Sequence, residues 1–594
     1  MTKHTTPPKA AAQVEKPIAA GVNAPAFGSD VVAQTLRDLD IPYVALNPGA
    51  SYRGLHDSLV NYLGNEQPQM LLCLHEESAV AIAQGYAKVT GRAMGAIVHS
   101  NVGLMHATMA IFNAWCDRMP AVILGATGPV DAVKRRPWID WIHTARDQGA
   151  LVRGYVKWDD QPASAGAARE ALIRATMLAN AAPQGPVYIN LDAEMQEAKL
   201  PEPLPPIDVA RYCPQVSTAP DPDMIREIAA RLSKAARPII LAGRASRSLE
   251  AWNARVALAE KLNAHVITDI KIGASFPTDH PLHIGAPGNL LPDAEGLDAL
   301  AEADVILNLD WVDLGGTLKA AKTDAFVISA TLDHHIHNGW SMDHQGLAPV
   351  DMLLSTDPDL VALALAKAVD AATQPQPLPA ERRAMQKPDG DKLTVEHLAY
   401  HLRAALGDRD TALTHLPLSW NGAWWPFRHP LDYLGSDGGG GIGGGPGISV
   451  GAALALNGTG RMPVAICGDG DYLMGVTALW TAAHYRLPLL MVIANNRSFF
   501  NDELHQERVA RMRNRPVENR WIGQRISDPD IDLAAMARAQ GAQGFGPVKD
   551  ETQLTAALQS AISAVEKGGI AVVDVRVEPG YAPATTAALT RKAD

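Results

Sequence analysis

Short apolar runs alternate with helical patterns through most of the chain. Runs of four to six apolar residues bounded by turn residues predict buried strands, and apolar residues that recur every three or four positions predict helices between them. A strand, a helix and a strand in close succession form a βαβ unit, whose two strands are parallel. The sequence therefore predicts an α/β fold of three consecutive parallel-sheet domains.

The clearest βαβ unit lies between residues 461 and 498. Val464–Cys467 and Leu489–Ala494 are apolar runs that predict buried strands. Apolar positions between them recur at helical spacing, which predicts a helix over Met474–Tyr485. The two strands should therefore be parallel and close together.

Polar side chains follow both predicted strands. Asp469 follows the first strand, between Gly468 and Gly470, and Asn495-Asn496 follows the second. Because the carboxyl ends of parallel strands meet at one sheet edge, these groups should lie close together. Carboxylate and amide oxygens suit Mg²⁺, which completes its coordination with phosphate oxygens and water. The alternative is a plain crossover, because Gly, Asp and Asn also favour ordinary turns.

One tripeptide motif and one dipeptide motif, taken with the spacing between them, resemble the signature of a known superfamily. Gly-Asp-Gly at 468–470 and Asn-Asn at 495–496 are separated by 24 residues. This arrangement resembles the signature of the acetolactate synthase/pyruvate decarboxylase/benzoylformate decarboxylase superfamily, whose members bind thiamine diphosphate. The resemblance implies pyrimidine-binding, central Rossmann-like and diphosphate-binding domains. It also implies thiamine diphosphate and Mg²⁺ as cofactors, with the metal held by Asp469, Asn496 and the backbone carbonyl of Ser498.

A glycine-rich stretch covers residues 438–445 and precedes an apolar helical segment. Its composition alone would fit a flexible linker. The superfamily has a glycine-rich turn here, in which one bulky residue bends the bound cofactor. The resemblance assigns that role to Ile442 and places Gly440 and Gly441 against the cofactor.

Two adjacent acids, Glu76 and Glu77, stand at the start of a predicted helix, where the helix dipole favours carboxylates. The segment HEESAVAIAQGYAKVTG resembles the part of the superfamily that carries its catalytic glutamate. The resemblance places that glutamate at Glu76, where it would hydrogen-bond the cofactor's pyrimidine ring. Glu77 is the alternative.

A histidine turn follows the predicted strand Ala93–Val98. His99 begins the sequence His-Ser-Asn-Val-Gly, which most resembles the benzoylformate decarboxylase segment that carries an active-site histidine. The resemblance makes His99 a candidate catalytic residue, although a histidine after a strand is often only a polar cap. We expect His106, further along the same segment, to be structural.

The chain also departs from its relatives. Ala50 occupies the position of a substrate-binding serine of benzoylformate decarboxylase, and Ser51 comes one residue late. Residues 306–319, where a second active-site histidine is expected, contain none. His143-Thr144-Ala145 stands where acetolactate synthases carry a phenylalanine–glutamine–glutamate run. The resemblance alone therefore does not identify the substrate.

Two proline-rich stretches predict linkers and divide the chain. The predicted organisation is a disordered lead-in at 1–26, a pyrimidine-binding domain at 27–200, a linker at 201–222, a central domain at 223–372, a linker at 373–390, a diphosphate- and Mg²⁺-binding domain at 391–585 and a tail at 586–594. A charge-rich loop over 501–530 should cover the site.

Composition excludes several classes of function. The 594 residues are 47% hydrophobic and carry a net charge of −12, without the basic stripe of a nucleic-acid-binding protein. The four cysteines are far apart, which is typical of free thiols in a cytoplasmic protein. No segment has the pattern of a signal peptide or a membrane span, so we expect no membrane association.

Three further features are ambiguous. The cluster of Trp420, Trp424, Trp425 and Phe427 could form core packing or the wall of a pocket for a bulky acyl group. The sequence His-His-Ile-His at 334–337 favours surface histidines over a metal site. Some superfamily members bind FAD in the central domain, but residues 243–246 are too weak a signal to predict it here.

Together these features predict a decarboxylase or lyase that depends on thiamine diphosphate and Mg²⁺ and acts on a 2-oxo acid or an acyloin. The alternatives are an acetolactate synthase-like carboligase and a non-catalytic protein of the same fold. The resemblance further implies a homodimer or homotetramer with active sites at the subunit interfaces.

Overall fold

The computed structural model of the protein describes residues 9–21, 24–214, 218–336, 346–372, 376–379 and 385–581. These residues form three β-sheets, and every strand pair in each sheet is parallel. The predicted class, three consecutive parallel α/β domains, is confirmed.

The first sheet has six strands in the order β2-β1-β3-β4-β6-β5. Its elements are α1 (Gly28–Asp38), β1 (Tyr43–Leu46), α2 (Arg53–Asp57), β2 (Gln69–Leu72), α3 (Glu76–Thr90), β3 (Met94–Ile97), α4 (Ser100–Cys116), β4 (Ala121–Thr127), α5 (Ile139–Ile142), β5 (Asp159–Asp160), α6 (Ala165–Asn180), β6 (Pro186–Asp192) and α7 (Ala193–Glu197). Every residue of β3 and β4 is buried, as expected for parallel strands covered on both faces.

The second sheet has five strands in the order β11-β10-β9-β7-β8. Its elements are α8 (Pro222–Lys234), β7 (Pro238–Ala242), α9 (Leu249–Leu262), β8 (His265–Ile267), α10 (Ala294–Glu302), β9 (Val305–Leu309), α11 (Leu314–Ala321), β10 (Phe326–Ala330), β11 (Met352–Leu354) and α12 (Pro358–Ala368).

The third sheet has five strands in the order β12-β13-β14-β16-β15. Its elements are α13 (Val395–Leu406), β12 (Thr411–His415), α14 (Gly445–Leu456), β13 (Met462–Gly468), α15 (Asp469–Gly475), α16 (Ala478–His484), β14 (Leu489–Asn495), α17 (Phe500–Met512), α18 (Leu533–Ala539), β15 (Gln543–Val548), α19 (Glu551–Glu566) and β16 (Ile570–Arg576). The predicted βαβ unit is confirmed, because β13 and β14 are adjacent and parallel.

Glycines bring the first and third domains into close contact. Helix α3 packs against α14 so tightly that a Cβ atom on Gly85 would lie 1.9 Å from the carbonyl oxygen of Ile448. A Cβ on Gly451 would likewise lie 2.0 Å from the carbonyl oxygen of Ile82. Only glycine allows this approach, so the two helices hold the domains of one chain together.

The helix predicted over Met474–Tyr485 is wrong in its extent. The chain instead forms two short helices, α15 and α16, which are separated after Gly475. A Cβ on Gly475 would lie 2.3 Å from the carbonyl oxygen of Gly443, so the glycine-rich turn packs against the break. Glycine also favours helix less than other residues except proline.

The prediction of a loop over 501–530 is also wrong for the first part of that range. Residues from Phe500 onward form α17, followed by a short 3₁₀ turn at Val517–Trp521. Glu507 bonds Arg511 one helical turn away and also pairs with Arg520. The charge-rich pattern therefore reflected ion pairing along and around a helix.

Part of the predicted disordered lead-in is ordered. The backbone N–H of Lys9 donates to Asn457 at 2.6 Å and that of Ala12 donates to Tyr485 at 3.1 Å, while Ala11 is buried. These contacts attach residues 9–15 to the third domain. The described residues do not include 1–8, residues 373–375 and 380–384 of the second linker, or the tail at 586–594.

Among the described helices, none has the length and apolar character needed to cross a membrane.

Candidate active site

Asp469 lies at the carboxyl edge of the third sheet, where it begins α15. Its carboxylate is 4% exposed, and Oδ1 accepts a hydrogen bond from the N–H of Gly470 at 2.9 Å. Oδ2 is buried and has no hydrogen-bond partner among the described residues. Burial raises the pKa of Asp469 to about 6, although backbone N–H groups of Gly470 and of residues 497–498 oppose the shift. A buried acceptor without a donor is what a bound cation would satisfy.

The residues after β14 reach the same edge, because Gly468 and Ala494 are register partners. Asn496 Oδ1 accepts a hydrogen bond from the N–H of Ser498 at 2.8 Å, which closes a tight turn. Ser498 is buried, and its hydroxyl donates to Glu503 Oε1 at 2.6 Å. The structure therefore brings together the predicted metal-binding residues Asp469, Asn496 and Ser498.

The glycine-rich turn lies beside α15. Ile442 is its one bulky residue and is 44% exposed. Gly440 has a φ of +72°, in the left-handed region that favours glycine, and its N–H donates to Asp437. Gly441 packs against Met109, and a Cβ there would lie 2.4 Å from that side chain. The turn is therefore packed in place, and it leaves Ile442 accessible.

Gly468 and Gly470 differ in their surroundings. A Cβ on Gly468 would meet no atom within 4 Å, so open space lies beside this backbone. A Cβ on Gly470 would lie 2.6 Å from the ring of Phe499, which explains the need for glycine there. The open face of Gly468 next to Asp469 is accessible to a ligand.

Beneath the glycine-rich turn lies a buried ion pair that the sequence did not reveal. Asp471 Oδ1 accepts hydrogen bonds from the N–H groups of Gly443, at 2.7 Å, and Gly445, at 3.2 Å. Asp471 Oδ2 lies 3.2 Å from Nε2 of His415, the last residue of β12. Burial opposes both charges, but Asp471 raises the pKa of His415 and His415 lowers the pKa of Asp471.

Glu76 begins α3 in the first domain, and His75 caps this helix by accepting a hydrogen bond from the N–H of Glu77. The Glu76 carboxylate is buried, and its Oε2 lies 3.1 Å from Nδ1 of His106. The other oxygen lies against Gly103, where a Cβ would be only 3.0 Å away. His106, which we expected to be structural, therefore contacts the candidate catalytic carboxylate.

Glu77 faces in a different direction from Glu76. Its carboxylate lies near Gly443 of the glycine-rich turn of the same chain. Burial, followed by repulsion from Asp471, raises the pKa of Glu77. The groups that contact Glu76 belong instead to the first domain, so the two acids have separate surroundings.

His99 is the N-cap of α4, and its ring is fixed from two sides. Nδ1 lies 2.8 Å from the hydroxyl of Ser51, and a Cβ on Gly49 would lie 2.4 Å from the ring. The ring of His143 lies edge-on at 4.6 Å. Burial, followed by His143, lowers the pKa of His99, and Glu76 opposes the shift. Ser51, displaced by one residue in sequence, thus orients His99.

The aromatic cluster lies in the core. Trp420, Trp425 and Phe427 are buried with apolar residues of the second and third domains. The ring centroids of Trp420 and Trp424 are 5.5 Å apart in an edge-to-face arrangement. These aromatic side chains therefore form core packing, and their burial does not support a role as the wall of a substrate pocket.

His334 and His335, which are adjacent in the second domain, both contact the hydroxyl of Ser355. Nε2 of His335 lies 2.8 Å from Ser355 Oγ, and Nε2 of His334 lies 3.3 Å from it. His337 lies outside the described residues.

Three family models match this chain in the order of its domains. The "Thiamine pyrophosphate enzyme, N-terminal TPP binding domain" matches residues 27–151, the central domain matches 225–335, and the C-terminal TPP binding domain matches 418–575. Together they cover more than half of the chain.

The chain belongs to the thiamine pyrophosphate enzyme family. Thiamine pyrophosphate is the same compound as thiamine diphosphate, so the resemblance noted in the sequence is confirmed. The family's cofactor-binding domains are the ones that contain Glu76 and Asp469.

The relatives in this family differ in the reaction that their names give. Benzoylformate decarboxylase of Pseudomonas aeruginosa is 26% identical over 527 residues, which cover 86% of this chain and 93% of the relative. The acetolactate synthase large subunit of Lactococcus lactis is 28% identical over 48% of each chain. The family thus includes decarboxylases and carboligases.

Solved structures share the fold. The 4-hydroxybenzoylformate decarboxylase of Rhodococcus jostii RHA1 superposes with a TM-score of 0.77, at 24% identity, over 94% of this chain and all of that chain. Benzoylformate decarboxylase of Polynucleobacter necessarius gives a TM-score of 0.78, at 22% identity, over 94% of this chain and all of that one.

Proposed function

We propose that this protein is a thiamine diphosphate- and Mg²⁺-dependent decarboxylase of 2-oxo acids. The observation that carries the proposal is the buried Oδ2 of Asp469, which has no hydrogen-bond partner among the described residues and lies at the sheet edge that Asn496 reaches. The family supports a thiamine cofactor, and the donor set supports the metal.

The oxygens at this edge are suited to Mg²⁺. Asp469 would supply a carboxylate oxygen, Asn496 an amide oxygen and Ser498 its backbone carbonyl. Mg²⁺ is bound by few protein oxygens when phosphate and water complete its shell. Asn496 Oδ1 already accepts one hydrogen bond, but an amide oxygen has a second lone pair for the metal. The open backbone at Gly468 would allow the diphosphate to approach.

Glu76 is the proposed proton-handling group. When bound, thiamine diphosphate supplies the carbon nucleophile and the electron sink for breaking the bond next to a ketone. Glu76 would hydrogen-bond the pyrimidine ring and thereby promote loss of the proton from the reactive carbon. Its burial and its contact with His106 hold the carboxylate in one orientation. Gly440, Gly441 and Ile442 would contact the other side of the cofactor.

His99 is the proposed second catalytic residue. Burial and His143 favour its neutral form, which can accept a proton and, once protonated, can return it. Ser51 and Gly49 fix the ring, so the remaining nitrogen points in a defined direction. His99 would hold a proton at the carboxylate or carbonyl oxygen of the substrate.

A 2-oxo acid with a bulky or aromatic acyl group is the proposed substrate. This choice is supported by similarity to benzoylformate decarboxylase over most of both chains. The second candidate is an acetolactate synthase-like carboligase, supported by relatives that match about half of the chain. A lyase acting on acyloins would use the same groups. A non-catalytic role is disfavoured, because Glu76, Asp469 and Asn496 are all present.

We further propose that two chains share each active site, in a homodimer or homotetramer. Apolar side chains are exposed next to both halves of the site: Leu74 and Met105 near Glu76, and Ile442 and Met474 near Asp469. Clusters of exposed apolar residues mark protein and ligand contacts. Mixing Glu76→Gln chains with Asp469→Asn chains under subunit-exchange conditions should give, at a limiting Mg²⁺ concentration, more activity than either variant has alone. Mixed chains that stay no more active than either variant despite exchange would contradict a shared site.

Cofactor removal tests the function itself. Protein treated with EDTA and dialysed should release CO₂ from benzoylformate only after thiamine diphosphate and Mg²⁺ are both restored. In Asp469→Asn the Mg²⁺ concentration needed for half-maximal activity should rise at least tenfold. Even the loss of a residue that only hydrogen-bonds a metal ligand typically lowers metal affinity by tenfold or more. Asp432→Asn, which removes a charge from a backbone-capping site elsewhere in the domain, is the control. CO₂ release that needs neither cofactor would overturn the proposal.

A further inference from the structure

The turn at 438–445 contains seven glycines and one isoleucine, yet it is packed in a defined conformation. Gly438, Gly440 and Gly443 all have φ values in the left-handed region, from +72° to +107°. Glycine loses more conformational freedom on ordering than any other residue. Specific contacts must therefore hold this turn.

Side chains from several segments bind the backbone of the turn, and those of Ser436 and Ser449 do so at its two ends. Asn113 Oδ1 accepts from the N–H of Gly439, and Asp437 Oδ1 accepts from that of Gly440, both at 3.2 Å. Asp471 alone binds two N–H groups, on either side of Gly444. Bonds to a charged acceptor are roughly twice as strong as bonds between neutral groups. Asp471 makes two bonds to the turn and Asp437 makes one, so Asp471 makes the strongest attachment.

His415 keeps the Asp471 carboxylate in place. Both side chains are less than a tenth exposed, and the nitrogen and oxygen of the pair are 3.2 Å apart. The fit is close, because a Cβ on Gly445 would lie 2.1 Å from Asp471 Oδ2 and 3.0 Å from the His415 ring. The pair thus connects the end of β12 to the start of α14 through the turn.

We propose that Asp471, supported by His415, is a positioning residue that fixes the glycine-rich turn, and with it Ile442, before any ligand binds. This inference rests on the proposed function only in taking the turn as part of the cofactor site. A preformed turn would lower the ordering cost of binding, which raises affinity without adding contacts. Asp471 itself would not touch the reacting atoms.

Hydrogen–deuterium exchange of the full-length protein, free of thiamine diphosphate and metal, tests the proposal. Asp471→Ala should increase exchange at the amides of Gly443 and Gly445 at least tenfold, the amount expected from the loss of one hydrogen bond to a charged group. Asp471→Asn should give a smaller increase, because its amide oxygen still accepts. Asp432→Asn, an acid of the same domain that does not contact the turn, should leave this exchange unchanged.

Peptides from β13 and β14 report whether each variant remains folded. If Asp471→Ala unfolds, the double variant His415→Gln/Asp471→Asn removes both charges while keeping the approximate shape, and its turn should exchange faster than the wild type. In folded variants the thiamine diphosphate dissociation constant, followed by tryptophan fluorescence with Mg²⁺, should rise at least tenfold, and Asp471→Asn should partly rescue it.

Unchanged exchange of the turn in a folded Asp471→Ala or double variant would overturn the proposal. So would a wild-type turn that exchanges without protection. If the wild-type protein bound no thiamine diphosphate, the proposed function would fail, but the exchange comparison on ligand-free protein would still decide the role of Asp471.

Discussion

Glu76 Oε2 lies 3.1 Å from Nδ1 of His106, and the two side chains differ sharply in exposure: 9% for the glutamate and 61% for the histidine. The buried carboxylate therefore contacts a side chain that reaches the surface of the chain. His75 stacks on His106 with ring centroids 5.1 Å apart. This arrangement orients one carboxylate oxygen and leaves the other, beside Gly103, for a ligand.

Glu76→Gln should leave thiamine diphosphate bound but slow hydrogen–deuterium exchange at its reactive carbon by about a hundredfold, the usual scale for one positioned proton-transfer group. The measurement is quenched-flow exchange followed by NMR. Glu77→Gln, which alters the neighbouring acid, should retain exchange close to the wild-type rate. Equal rates in Glu76→Gln and the wild type would refute the assignment of the catalytic glutamate.

His106→Ala should slow the same exchange about threefold to tenfold, because a partly exposed hydrogen bond to a carboxylate is worth less than a buried one. His106→Asn can restore a donor to Glu76 and should recover most of the rate. Cofactor affinity should stay near the wild-type value in both variants. A full rate in His106→Ala would show that the contact does not orient Glu76.

The pH dependence of kcat/KM should report His99. Burial and His143 hold the pKa of His99 below its ordinary value of 6.5, so the imidazole stays neutral at lower pH than a free one. The acid limb of the profile should accordingly lie below pH 6.5. His143→Ala exposes His99 and removes a repelling neighbour, so the pKa should rise and the limb should move to higher pH.

His143→Phe is the matched control for that shift. It keeps His99 covered and removes only the second imidazole, so its limb should move less than that of His143→Ala, since burial is the larger cause. An identical profile in the wild type and both variants would mean that another group controls the acid limb.

Gly451→Ala should lower the free energy of unfolding by about 1–3 kcal/mol, the usual cost of overpacking. Its added methyl group would meet the carbonyl oxygen of Ile82 and separate α3 from α14. Gly154→Ala, where no atom lies within 4 Å of the new methyl group, is the control. Thermal unfolding of both variants gives the comparison, and equal midpoints would argue against this helix contact as a source of stability.

The elements of the fold follow from local patterns, which is why they could be predicted. The apolar runs of β13 and β14 and the Gly-Asp-Gly turn between them are encoded within a few residues, and Asp469 and Asn496 meet because both end parallel strands. The breaks in helices were less predictable. Gly475 interrupts a helical pattern because of its contact with the distant Gly443.

Side-chain pairs from distant segments could not be predicted. Ser51 and His99 are separated by 48 residues, and Glu76 and His106 by 30. In the sequence, His143 marks only a difference from acetolactate synthases. Its segment should reach the active site, so His143 could have been proposed as a second histidine beside His99. Asp471, the residue after Gly-Asp-Gly, carries no local sequence signal, because its partner His415 lies on another strand.

The products formed from a panel of substrates test the proposed activity most directly. Purified protein with thiamine diphosphate and Mg²⁺ would be given pyruvate, benzoylformate, longer 2-oxo acids and aromatic acyloins, and CO₂, aldehyde and acyloin would be measured. We expect CO₂ and the matching aldehyde from a bulky or aromatic 2-oxo acid. Aldehydes from an acyloin without CO₂ from any 2-oxo acid, or acyloin accumulation from pyruvate as the main reaction, would contradict the decarboxylase assignment.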